Sequence, residues 1–172
     1  MTHRITLIII SSAATVVLFA AMSALTDFPL LDTMWYASAE EIHRAVSSLT
    51  AAQIRAYHTM LVVDFCYAIA YTVLLILLFR SFRSNRGFCR VLRRAGIAAT
   101  ATAGLSDYLE NGLILAVLSA VPAESRAAAA LGPVTTLKWL AVITAVALLA
   151  VMSVRQVFRA AAASRKQRLP HG

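Results

Sequence analysis

Residues 95–121 read AGIAATATAGLSDYLENGLILAVLSAV. The run is longer than the ~20 residues that cross a ~30 Å hydrocarbon core. It nevertheless contains Asp107 and Glu110. Whether it spans a membrane decides the fold, and the rest of the chain bears on that choice.

Of the 172 residues, 60% are hydrophobic and 14% charged. A soluble domain is nearer half apolar and a quarter charged, so this is the composition of a membrane protein. Three further runs reach spanning length: Ile5–Leu25, Thr59–Phe79 and Val134–Val154. The first has no charge, the second only Asp64, and the last only Lys138. A cleaved signal peptide fits the first run poorly, because its apolar stretch is too long and Met22 stands where a small residue is needed.

The net charge of +8 does not imply nucleic-acid binding. Its basic residues lie between and after apolar runs, with no folded soluble surface to carry them. Their distribution instead sets orientation. Arg4, the loop 80–94 and the tail 155–172 together hold twelve Lys and Arg, against Arg44, Arg55 and Arg126 on the opposite side. Both termini are expected to be cytoplasmic. Cys66 and Cys89 fall at different depths, so no disulfide framework is expected.

Local signals fill in the connections. Pro29 stops the first helix. Trp35 and Tyr36 are placed like interfacial aromatics. Ser38 with Glu41, and Thr50 with Gln53, read as two capping boxes. The first opens an amphipathic helix carrying Ile42, Ala45, Val46 and Leu49 on one face, lying on the membrane surface or over the bundle. The second opens one continuous rod through the second span. Tyr57 and His58 read as interface anchors. Pro122 and Pro133 bracket a short outer loop. Gly104, Gly112 and Ala116 give small-residue spacing for close helix contact.

The expected fold is therefore all-α. It is a polytopic membrane four-helix bundle forming one domain over 1–172, with spans at about 5–25, 59–79, 95–121 and 134–154. A short amphipathic outer helix lies at about 38–49, and a basic cytoplasmic tail at 155–172. Multi-pass placement in the cell membrane follows.

The polar residues inside the spans form a pattern. Asp64, Tyr67 and Tyr71 share one helical face, and Asp107, Glu110 and Asn111 share another. Asp64 lies ~8 Å and Lys138 ~6 Å inside the outer ends of their runs, at 1.5 Å per residue. These groups can meet at one level in the outer half of the bundle. An ionised acid at a helix centre costs ~2.5–3.5 kcal/mol, so the acids are expected to face inward and to be functional. Interhelical hydrogen bonds contribute only ~0.6 kcal/mol each, which suits Asn111, Thr100 and Thr135 as structural glue. The candidate catalytic residues are Asp107, Glu110 and Asp64. Tyr67, Tyr71, Asn111 and Lys138 are the candidate binding residues. The carboxylates are hard oxygen ligands, yet no His or Cys joins them at ligand spacing, so neither metal nor cofactor is expected.

Asp64-Phe-Cys-Tyr67-Ala-Ile-Ala-Tyr71 and Asp107-Tyr-Leu-Glu110-Asn111 resemble the Asp-x-x-aromatic-x-x-x-Tyr and Asp-x-x-Glu-Asn patterns of small bacterial four-span membrane proteins of unassigned function. Ala68 stands where such proteins often have proline, so no kink is implied there. The resemblance covers about half the chain and implies the four-span fold but no activity.

Three functions fit the residues. The favoured one binds or acts on a lipid-like, possibly prenyl, substrate by carboxylic acid/base chemistry. The alternatives are a small proton- or cation-coupled channel or transporter, and an accessory subunit of a membrane complex. The implied partners are the bilayer, a lipid-like small molecule, and either a second copy or a membrane partner subunit. Nucleic acid is not among them.

Overall fold

The computed structural model describes residues 2–26, 28, 30–82 and 87–167. Pro29, Arg83, Arg86 and Arg168, used above for a helix stop and for orientation, lie outside the described residues. Among those described, regular structure is entirely helical. The elements are α1 (Thr2–Leu25), a 3₁₀ turn (Leu31–Thr33), α2 (Ala39–Ser47), α3 (Ala51–Ser81), α4 (Gly87–Ala120) and α5 (Ala128–Gln167).

Both capping boxes form. The Ser38 hydroxyl accepts from the Glu41 N–H (3.2 Å), and the Glu41 carboxylate accepts from the Ser38 N–H (2.7 Å). Thr50 and Gln53 repeat the arrangement at 3.2 and 2.9 Å. Each box satisfies orphan N–H donors where a helix begins. The Thr50 box opens α3, which runs unbroken for 31 residues as the sequence predicts.

Three helices are long and apolar enough to cross a membrane, over Ile5–Leu25, Ala51–Ser81 and Ala128–Phe158. The 95–121 run is not among them. It belongs to α4, a helix of 34 residues that begins among Arg90, Arg93 and Arg94 and carries both acids. Large aliphatic side chains face outward on all four long helices, including Ile9 and Val16 on α1, Val62 on α3, Leu105 on α4 and Ile143 on α5. The buried groups of α4 include Thr100, Ser106, Asp107, Glu110 and Asn111. Apolar side chains fill much of the interior as well, so aliphatic groups outside and acids inside set this bundle apart from a water-soluble one.

The long helices pack in sequence order: α1 on α3, α3 on α4, and α4 on α5. Close approach of α3 and α4 depends on glycine. A methyl group at Gly104 would run into Thr72, and one at Gly96 into the Phe79 ring. The expected small-residue set is thus corrected. Gly112 meets nothing within 4 Å, and Ala116 is exposed. The contact instead uses Gly96 and Gly104, eight residues apart and on one face.

Three other expectations change. Pro133 does not bound the loop but lies inside α5. The helix is already nucleated by the i→i+3 bonds of Ala128, Ala129 and Ala130, and the carbonyl the proline frees belongs to exposed Ala129. Tyr57 is fully buried and not at an interface. Its ring packs on Phe28 at 5.4 Å and its hydroxyl accepts from the Leu31 N–H at 2.7 Å. Thr100 is buried but donates to the Gly96 carbonyl one turn back (2.8 Å), so it does not tie helices together.

Helix α2 turns Ile42 and Val46 inward and packs over the end of α4 and α5. His43 accepts from the Ser125 N–H at 3.1 Å, fixing α2 to the α4–α5 connection. The segment before α2 docks on α5. Gly132 lies against the Ala37 backbone, and Trp35 stacks on Trp139 with ring centroids 5.6 Å apart.

Candidate functional site

The polar faces read from the sequence converge. Helix α3 contributes Asp64, Tyr67 and Tyr71, α4 contributes Asp107, Glu110 and Asn111, and α5 contributes Thr135 and Lys138. Asp64 is 4% exposed, Asp107 4%, Lys138 6%, and Glu110 and Asn111 not at all. Tyr67 and Tyr71 are half-buried, with ring centroids 5.3 Å apart.

Lys138 sits at the centre of the charges. Its ammonium pairs directly with the Glu110 carboxylate and lies 3.4 Å from Asp107 Oδ1. Thr135, one turn before Lys138, donates its hydroxyl to Glu110 from the other side. Glu110 is thereby locked between two α5 side chains. Asp64 has no cation within ion-pair distance among the described residues.

A fourth acid belongs to this group. Asp32 Oδ2 lies 4.0 Å from Lys138 Nζ. Its backbone carbonyl accepts from the Trp139 indole N–H at 3.0 Å, which clamps the 3₁₀ turn onto α5. Burial raises the Asp32 carboxyl from its ordinary value, although Lys138 draws it the other way. Sequence reasoning missed Asp32 because it lies outside every apolar run. The only available signal was an acid placed between two segments that must fold back over the bundle.

Beside this cluster, α1 and α5 leave a cleft of about 440 Å³. Its polar wall is Asp32, Asp64, Asp107 and Lys138, with Tyr67 and Tyr71 beside them. Its apolar wall is Phe19 and Met22 of α1, Leu74 and Leu75 of α3, and Val142 and Val146 of α5. Glu110 and Asn111 do not line the cleft; they lie behind its polar wall. The Tyr71 hydroxyl is buried without a hydrogen bond of good geometry.

A cleft with an apolar wall and a wall of several carboxyls and one ammonium suits a molecule with a hydrocarbon portion and a polar or reactive end. Among the described residues, no three His, Cys, Asp or Glu side chains are arranged to hold a metal ion. Comparison with protein-family models, curated proteins and solved structures finds no match.

Proposed function

We propose that the chain is a four-span protein of the cell membrane with both termini cytoplasmic, and that its cleft binds a lipid-like substrate, such as a prenyl chain, for carboxylic acid/base chemistry. The observation that carries this reading is the cleft itself, with aliphatic walls that end on Asp64, Asp107 and Lys138. Three helices of spanning length and the aliphatic exterior of α4 support the bundle. The twelve-to-three distribution of Lys and Arg supports the orientation.

Within this proposal the acids take roles according to their place around the cleft. Asp107 is held by Lys138 and serves as a carboxylate facing the positive charge that develops on substrate. Asp64 faces the cleft without a cation and serves as the general acid, giving its proton to an alkene or a leaving-group oxygen. Glu110 is out of reach of the cleft and acts through Lys138, fixing where the ammonium points. Tyr67 and Tyr71 line the same space, where an aromatic ring favours a passing cation.

The reading is tested by mass spectrometry of small molecules that co-purify with the full chain in mild detergent. Val142→Trp fills the apolar wall and is expected to abolish the bound hydrophobic species. Asp64→Asn is expected to retain it and to lose turnover. An unchanged set of bound species in Val142→Trp rejects the cleft as the binding site.

A further inference from the structure

We propose a second site, at the arginine-rich end of the bundle, that binds the phosphate of an anionic phospholipid. The proposal does not depend on the acidic cleft. Arg80 lies sixteen residues along α3 from Asp64, or about 24 Å at 1.5 Å per residue.

At that end α1, α3 and α4 enclose a pocket of about 660 Å³. Arg80 and Ser81 from the last turn of α3 and Arg93 and Arg94 from α4 line it. Ser81 donates its hydroxyl proton to the Leu78 carbonyl (2.7 Å), so the guanidinium groups supply the donors. Among the described residues no carboxylate lies within ion-pair distance of them. The chain has eight acids, and none lies between Asp64 and Asp107 or beyond Glu124. Among the described residues every ion pair belongs to Lys138. Three guanidinium side chains lining one pocket, with no counter-ion among the described residues, form a site for a multivalent oxyanion, because each offers a planar fork of donors.

The remaining wall decides which oxyanion. Leu7 and Ile8 of α1, Leu77 of α3 and Ile97 of α4 complete the pocket. Leu77 and Arg80 are one turn apart on α3, and Arg93 and Ile97 one turn apart on α4, so charge passes into aliphatic surface on both helices. A free phosphate has no use for that surface. A phospholipid does: its phosphate meets the arginines and its acyl chain follows the leucines and isoleucines inward. Basic pockets between spanning helices on the cytoplasmic side have this chemistry.

The test is native mass spectrometry of the full chain with phosphatidylglycerol, cardiolipin or phosphatidylcholine added at equal concentration, and with inorganic phosphate. The anionic lipids are expected to be preferred over phosphatidylcholine, by roughly fivefold per arginine at low salt. The triple variant Arg80→Gln, Arg93→Gln, Arg94→Gln is expected to lose the preference, while Arg90→Gln, outside the pocket, keeps it. Should the triple variant not fold, Arg93→Gln alone is expected to lower the preference about fivefold. Equal retention of phosphatidylcholine overturns the proposal. So does full competition by millimolar phosphate, or a triple variant that behaves like the native chain.

Discussion

Replacing Lys138 by methionine removes the ammonium that three buried carboxylates share while keeping most of the side-chain volume. Glu110 suffers most, since it is wholly buried and its remaining partner is the Thr135 hydroxyl. Removing one member of a buried ion pair costs about 3–5 kcal/mol, because the other charge is left desolvated. Asp107 at 3.4 Å and Asp32 at 4.0 Å lose an attraction as well, which places Lys138→Met towards the upper part of that range. Glu110→Gln also destabilises, because it leaves the ammonium facing an amide. The double variant removes both charges together and is expected to be more stable than the sum of the single effects implies, by up to about 3 kcal/mol. Reversible unfolding in mixed micelles, with the four proteins compared under one condition, measures the cycle. Additivity within about 0.5 kcal/mol would refute the view that these two groups form the structural centre of the site.

Gly104→Val places methyl groups where Thr72 stands and is expected to cost about 1–3 kcal/mol, with partial rescue by Thr72→Ala; the same stability assay checks it, and a Gly104→Val protein of native stability would contradict the close α3–α4 approach. Asp32 supplies a pH dependence of definite sign. Its folded carboxyl titrates above 3.8 because it is buried, so the folded chain binds the proton more tightly than the unfolded chain. Its contribution to stability is greatest below that value and is lost as pH rises through the raised folded pKa. Asp32→Asn removes this titration. Thermal midpoints of the variant relative to the native chain should therefore climb as pH rises from about 4; a flat or falling difference would show that Asp32 is not buried as described.

What the sequence discloses is what repeats along a helix. Asp64, Tyr67 and Tyr71, and Asp107, Glu110 and Asn111, are ordered by the helical period alone, and the capping boxes by a three-residue offset. That Lys138 meets the α4 acids follows from the cost of leaving a charge unpaired in an apolar interior. What it does not disclose depends on how non-periodic chain folds back. Asp32 and Tyr57 enter the interior because the 3₁₀ turn is clamped by Trp139 and by the hydrogen bond from the Leu31 N–H, contacts between residues 26 and 107 positions apart. Gly96 resembles any glycine near a helix start until Phe79 is laid across it. The separation of Asp64 and Asp107 from Glu110, cleft-lining against buried, also escapes a helical wheel, since all three point inward.

The partition of charge between α4 and α5 bears on how the protein is made. In the four-span reading, α4 entering the bilayer alone would bring two uncompensated acids, a cost of about 5–7 kcal/mol on insertion scales. Its counter-charge is on the next helix, beyond a connection of a few residues from 121 to 127. Helix α5 holds a stretch, Ala128–Phe158, that is long and apolar enough to span unaided. On that four-span reading, integration of the acidic helix would be tied to synthesis of its successor. The two would leave the translocation machinery as a hairpin, with Glu110 and Lys138 already joined, and a nascent chain ending before Ala128 would carry a helix that the bilayer has little reason to keep.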